Sequence, residues 1–351
     1  MAEQDEVRFM TFNMGLLKIK LMGRSVVETP PYVNARFDAI LETLPLAVQE
    51  HNVDILALQE IYSDAQVARL MERLPSLPHL SRSANHQFWQ FHNGLAILSK
   101  WPVITSIRKH KQASALEAVF ASKSCLMAKI DTPIAKLSMV NLHTTAGGGI
   151  DPEAGTVDLV RQSELREAID MSTEAASEGY MPLIVGDLNC GPEASAGNYS
   201  FLSENGFEDV VLPFADNIGP TWDPATPLNN MAVSAATCSA AFGCVHVHVL
   251  DLVRSHSCAC YADWCVVRQV FANSPACRID HVFAGKKTPI TASKAVKVFT
   301  EQNVCIPGKS KGSHRAPKPD MHVGLSDHFG LLVHLRCGKV ASPKSVMTAH
   351  M

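Results

Sequence analysis

The sequence predicts a layered α/β fold. Short apolar runs of β type recur along its length, segments with helical spacing separate several of them, and 46% hydrophobic against 19% charged residues supplies a sizeable core. Residues 7–13 read as a strand ending at Asn13. A Gly- and Pro-containing connector leads to a helix in which Ala35, Phe37, Ile40, Leu41 and Leu44 share one face. Residues 53–60 form the next strand and deliver Gln59 and Glu60, and from Asp64 to Leu74 the helical period returns at Val67, Leu70, Met71 and Leu74. Four β-type runs follow, at 94–98, 103–107, 117–130 and 136–143, with a turn at 131–133; the last delivers Asn141 and His143. A helix over 157–178 carries Val157, Val160, Leu165 and Ile169 on its apolar side. Residues 183–185 are a short buried strand ending abruptly in Gly186, Asp187 and Asn189. Asp280 lies within a later strand, and Asp327 and His328 open the final one.

Asp187 and Asn189, two apart on an extended chain, point to the same side and can reach into one cleft. A single strand end of this kind is most simply a capped turn, since Asp and Asn favour such places. Six such sites in this order are hard to obtain by chance: four end apolar runs, Asp280 lies within one, and the Asp327–His328 pair opens one.

At the ordered set Asn13, Glu60, His143, Asp187/Asn189, Asp280 and Asp327/His328 the chain resembles the endonuclease/exonuclease/phosphatase superfamily, the DNase I-like metal phosphoesterases, over residues 7–336. Within it the chain is similar to the neutral sphingomyelinases, on segment 93–102, on Arg161, Gln162 and Glu164 after the His143 strand, and on the Pro-Thr-Trp-Asp-Pro run at 220–224. The resemblance implies two packed β-sheets flanked by helices. It implies Mg2+, with Mn2+ as a substitute, held first by Glu60 with Asn13 and Asp327 near the same ion. His328 is the candidate general base and Asp280 its orienting partner, while Asp187 orients the attacking water and competes for the base role. His143 and Asn189 would donate to the non-bridging oxygens, with Asn13 also at the phosphate. The activity implied is hydrolysis of sphingomyelin to ceramide and phosphocholine at a membrane surface, through peripheral contact. Alternatives are a nuclease on the same fold, an inositol-phosphate phosphatase, and a catalytically dead binding module.

Because site residues run from 13 to 328, any division of the chain would cut the site, so one catalytic domain is expected over 1–337, with an insertion at 224–276 and a tail at 338–351. A net charge of −3 gives no overall footprint for a polyanion. The concentrated basic segment, 309–318, reads as a solvated loop near the cleft mouth. No apolar stretch approaches bilayer length and the N-terminus lacks a signal-peptide core, so an intracellular, cytoplasmic protein is expected. Of ten cysteines, six fall between Cys238 and Cys277, interleaved with His246, His248 and His256; the spacing matches no C-x-x-C pair and reads as buried thiols rather than zinc. His86, His92, His110, His281, His322 and His334 read as structural.

Overall fold

In a computed structural model, the described residues are 5–21, 24–83, 92–109, 123–146, 154–229, 275–308 and 320–338. The basic segment 309–318, most of the expected insertion (230–274) and nearly all of the tail (339–351) lie outside them.

Two six-stranded sheets pack face to face. The first runs in the order β13 (Ile290–Val298), β16 (Gly330–Cys337), β1 (Glu6–Asn13), β4 (Ile55–Gln59), β6 (Ala96–Ser99), β5 (His79–Arg82). The second runs β11 (Phe207–Asp209), β12 (Asp280–Gly285), β10 (Met181–Asp187), β9 (Lys136–His143), β8 (Ser124–Asp131), β7 (Val103–Lys109). Two antiparallel strand pairs, β2/β3 (Leu17–Leu21 and Arg24–Thr29) and β14/β15 (Val304–Ile306 and Met321–Val323), form separate two-stranded sheets. Each sheet is mixed: β1 and β4 pair in parallel, as do β9 and β10, and the other strand pairs are antiparallel.

Strand alternation sorts the side chains into three layers. Val7 and Phe9 of β1, Ile55 and Ala57 of β4, and Val333 of β16 meet Leu137 and Met139 of β9, Leu183 and Val185 of β10, and Val282 of β12 between the sheets. On the outer side of the first sheet, Met10, Phe12, Leu56 and Leu58 pack under helices α1 (Val33–Glu50) and α2 (Asp64–Arg73). On the outer side of the second, Val140, Leu142, Ile184 and Phe283 pack under α3 (Ala154–Ser177) and α4 (Ala196–Glu204). Helix α1 begins after Pro30 and Pro31, and Glu28 accepts the Val33 amide at 2.6 Å, a cap supplied from five residues upstream. The expected two-sheet architecture with flanking helices is what forms.

Several boundaries differ from the sequence reading. The final strand starts at Gly330, so Asp327 and His328 sit in the turn before it; the Ser326 hydroxyl accepts the His328 amide at 3.3 Å and ends the extended run there. Glu60 lies just past β4 with φ 54°, and Asn189 just past β10 with φ 45°. Asp187 and Asn189 therefore do not continue one extended chain. Asp187 Oδ1 instead accepts the Asn189 amide at 3.0 Å, folding the backbone into a tight turn.

Where the apolar inner layer ends, a buried amide layer replaces it. Asn141 of β9 donates to the carbonyls of Leu58 and Ala96 in the opposite sheet at 2.9 and 3.1 Å, and accepts from Gln59 Nε2 at 2.7 Å. Gln59 Nε2 also reaches the Thr11 hydroxyl at 3.1 Å. Replacing Asn141 by Leu removes three hydrogen bonds from the interface and leaves Gln59 Nε2 only its Thr11 contact; denaturant unfolding should show a loss of at least about 1.5 kcal/mol, given about 0.5–1.5 kcal/mol for each hydrogen bond lost.

Candidate active site

The inner-face parity that fills the core also positions the site. Continuing 7, 9, 11 along β1 reaches Asn13; 137, 139, 141 along β9 reaches His143; and 183, 185 along β10 reaches Asp187. Register does the rest. Asp187 lies opposite His143 on one side and Asp280 on the other, so three of the expected residues form one row across the second sheet. Asn13, opposite Gln59 at the end of the first sheet, faces that row.

Asn13 Nδ2 donates to Asp187 Oδ2 at 2.9 Å and to Glu60 Oε1 at 3.1 Å, bridging the two sheets, while its Oδ1 accepts the Gly15 amide at 3.0 Å. His328 Nδ1–H donates to Asp280 Oδ2 at 2.9 Å, which leaves Nε2 facing Asp187 Oδ2 at 3.5 Å. His143 Nε2 lies 3.6 Å from Asp187 Oδ2 and 3.8 Å from Glu60 Oε1. Asp187 and Asp280 are each 1% exposed, whereas Glu60 and His143 keep 15% and 16%, so the open side of the cleft is theirs. Asn189 Nδ2 donates to the Thr144 carbonyl at 3.1 Å, which fixes its amide beside His143.

The two histidines are driven in opposite directions. Burial pulls His143 down to about 4, only partly offset by Asp187, so it is a neutral donor at physiological pH. Burial also works against charge on His328, but Asp280, Asp187 and Asp327 outweigh it and hold the imidazolium well above the usual histidine range. Glu60 is raised to about 8 by burial and by Asp327. Such pairs of titratable groups pushed apart are typical of acid–base sites.

The endonuclease/exonuclease/phosphatase family profile matches residues 10–328, a span that contains every one of these residues. The chain belongs to this family. No curated protein sequence matches it. Among solved structures, it is similar to sphingomyelinase C from Streptomyces griseocarneus (14% identity, TM-score 0.59, 94% of this chain and 99% of that one). It is similar to a Staphylococcus aureus beta toxin with bound magnesium ions (15% identity, TM-score 0.58, 95% and 100%). It is also similar to a humanized D. rerio TDP2 (13% identity, TM-score 0.55, 95% and 100%). At these identities the likeness is one of fold.

Two oxygen-bearing groupings of this family member can hold a cation. One centres on Glu60, which Asn13 Nδ2 joins to Asp187 and whose pKa Asp327 raises; ligand atoms of Asp187, Asp280 and His328 lie within 4.8 Å of one another and form the other. The second requires His328 to surrender a proton that its two carboxylate neighbours retain, and its Nδ1 is already committed to Asp280. The first fits a hard cation, because Glu60 is held short of ionisation by burial and by Asp327, a conflict that positive charge resolves.

The sequence reading singled out Arg161, Glu164 and the 220–224 run but gave them no role in holding this row, and it did not find Thr144 or Thr145. Thr144 donates its amide to the Asp187 carbonyl at 3.1 Å and its hydroxyl to the Leu188 carbonyl at 2.6 Å, tying the β9 and β10 ends together. Glu164 of α3 accepts the Thr145 amide at 2.7 Å and hydroxyl at 2.9 Å, and Arg161 donates twice to the Thr145 carbonyl, which gives the Arg161 and Glu164 pair a place in the site. Thr221, in the Pro-Thr-Trp-Asp-Pro run, accepts the amides of Ile279 and Asp280 at 3.1 Å while its carbonyl takes the Phe329 amide at 2.8 Å, joining the Asp280 strand to the His328 turn. His281 is structural, as expected: its Nε2–H donates to the Cys190 carbonyl at 2.8 Å, and Nδ1 faces Asp209 and Arg278.

Asp209 supplies a stability test independent of catalysis. Burial alone would raise its pKa, but hydrogen bonds and charge from His281 and Arg278 carry it well below the ordinary 3.8. A depressed folded-state pKa gives stability that is present above the unfolded value and lost as pH falls toward the folded one. Denaturant unfolding should therefore show the wild type losing stability between about pH 4 and about pH 2.5, with a shallower loss for Asp209→Asn in that window.

Proposed function

We propose that this chain is a Mg2+-dependent phosphodiesterase of neutral sphingomyelinase type, hydrolysing sphingomyelin to ceramide and phosphocholine during peripheral contact with a membrane. The observation that carries the reading is the paired arrangement at the cleft: a proton-holding His328 between Asp280 and Asp187, beside Glu60 with Asp327 nearby. The whole unit is read as one catalytic domain over 1–337. Choice of lipid over nucleic acid is supported by the near-neutral net charge of −3, and the sphingomyelinase type is taken from the sequence resemblance and the sphingomyelinase C likeness. No helix among the described residues is long and apolar enough to cross a membrane, so contact with lipid is assigned to the surface.

Glu60 is the principal ligand for Mg2+, with Asp327 and Asn13 beside it, and Mn2+ can substitute. When bound, the cation offsets phosphate charge and stabilises the leaving oxygen. The chain supplies the other functions. Asp187 orients the attacking water, with its own geometry fixed by Asn13 and by the Asn189 amide. Asp187 accepts the proton of that water, and His328, with Nδ1–H held by Asp280, gives its Nε2 proton to the leaving oxygen. His143, neutral and partly open to the cleft, donates to a non-bridging oxygen as charge develops; Asn189 offers its remaining amide hydrogen. Loss of one such donor typically costs about 2.7–4 kcal/mol of transition-state stabilisation.

The substrate test sets purified protein and Mg2+ against sphingomyelin in neutral detergent micelles, plain duplex DNA and inositol phosphates in parallel. Ceramide and phosphocholine are the expected products. Cleavage of duplex DNA with no sphingomyelin turnover, abolished when Lys309, Lys311, Arg315 and Lys318 are replaced by Ser, would make the protein a nuclease.

Two further outcomes are expected. Metal must displace the proton that Glu60 retains up to about 8, so Mg2+ affinity should rise roughly tenfold per pH unit from about pH 6 and level off above that value, and Glu60→Gln should abolish both the dependence and most of the affinity. Titration of Mg2+ by calorimetry at several pH values checks this. His328→Ala and Asp280→Ala act on one proton-transfer unit, so the double variant should fall no more than about threefold below His328→Ala alone; kcat losses that multiply would give Asp280 a separate role.

A further inference from the structure

Arg36 is fully buried in the first turn of α1, yet among the described residues no carboxylate contacts its guanidinium. All of its N–H donors go to backbone carbonyls instead. Nε donates to Pro31 at 2.9 Å; Nη1 to Met14 at 3.1 Å and Leu325 at 2.9 Å; Nη2 to Pro30 at 3.0 Å and to Gly15. A guanidinium has five N–H groups in a fixed fork, so every donor is used.

The five carbonyls belong to three segments, and two of those carry site residues. Met14 and Gly15 follow Asn13, and Leu325 precedes Ser326, Asp327 and His328. The two turns are drawn so close that a Cβ on Gly15, which has φ +56°, would meet Asp327 Oδ1 at 2.5 Å and Ser326 Oγ at 3.0 Å. Burial lowers the Arg36 pKa to about 10, and the charges of Asp327, Glu60 and Glu28 oppose that shift, so the guanidinium lies within the field of the acidic cluster.

We infer that Arg36 is a positioning residue for the cation-binding half of the site, setting the separation of the Asn13 turn from the Asp327 turn. This rests on the reading in which Glu60 and Asp327 hold the cation. Lysine preserves the charge but has three donors on one nitrogen and no planar fork, so it cannot span five carbonyls from three segments.

The test uses the full chain and Mn2+ itself as the probe, with free Mn2+ measured by electron paramagnetic resonance and folding by circular dichroism. Arg36→Lys and Arg36→Met should each weaken Mn2+ binding by at least about tenfold while folded, within the range for residues that orient metal ligands, and kcat should fall with little change in KM. Arg82→Lys removes a guanidinium, 7% exposed, on the edge strand β5 away from the site residues, where it pairs with Asp64, and should leave Mn2+ affinity within about threefold of wild type. Wild-type Mn2+ affinity in Arg36→Lys, or an equal loss in Arg82→Lys, would overturn the assignment. Should neither Arg36 variant fold, Gly15→Ala decides the matter: it keeps the guanidinium and pushes the two turns apart, so a comparable loss supports the assignment and unchanged Mn2+ binding overturns it. Wild-type protein that binds Mn2+ but hydrolyses no phosphodiester would sink the functional reading alone, since the Mn2+ comparison would still judge Arg36.

Discussion

The contact between Asn141 and Gln59, made across the gap between the two sheets, is the constraint on which the rest of the structure depends. Two apolar sheet faces can slide over one another at little cost, because hydrophobic burial has no direction. A buried amide cannot, since each misplaced donor or acceptor is left without water. Asn141 grips two carbonyls and a side-chain amide of the opposite sheet, and this locks the ends of β4 and β9 together one step below Glu60 and His143. Asn13 repeats the arrangement one layer further out by bridging Asp187 to Glu60. The cleft is thus the mouth of the inter-sheet core, and its geometry follows from the register of that core.

Burial at this mouth also generates the chemistry. The same desolvation raises Glu60, lowers His143 and opposes the charge on His328, and the outcome for each is decided by which carboxylates lie nearby. His143 has too little opposing charge and becomes neutral, whereas His328 is held between Asp280 and Asp187 and keeps its proton. A cation near Glu60 and Asp327 would relieve the acidic cluster and weaken that hold, which couples metal occupancy to the proton inventory of His328. Arg36 belongs to the same balance: it is a fixed positive charge placed under the cluster, with its donors spent on backbone.

Much of this was legible in the sequence, because alternation is a local property. Strand parity alone places Asn13, His143 and Asp187 on the inner face, and a resemblance in residue order added Glu60, Asp280 and the Asp327–His328 pair. What alternation cannot show is where a strand stops. Glu60 and Asn189 adopt positive φ, and Asp327 and His328 occupy a turn, each fixed by partners far away in sequence. Nor can it separate a catalytic amide from a structural one: Asn141 ends an apolar run much as Asn13 does, yet it serves the sheet interface. The roles of Thr144, Thr221 and Arg36 were invisible for a related reason. Their work is done with hydroxyls, amides and a guanidinium on carbonyls up to 289 residues distant, and backbone acceptors leave no trace in a sequence.

The central claim is the division of the cleft into a cation-holding side at Glu60 and a proton-handling side at His328. Anomalous diffraction from crystals soaked in Mn2+ tests it directly. A peak bonded to a Glu60 oxygen at about 2.1–2.2 Å, with Asp327 and Asn13 around it and the His328–Asp280 hydrogen bond intact, is the expected result. A single peak ligated by Asp187, Asp280 and His328, with Glu60 left free, would contradict it.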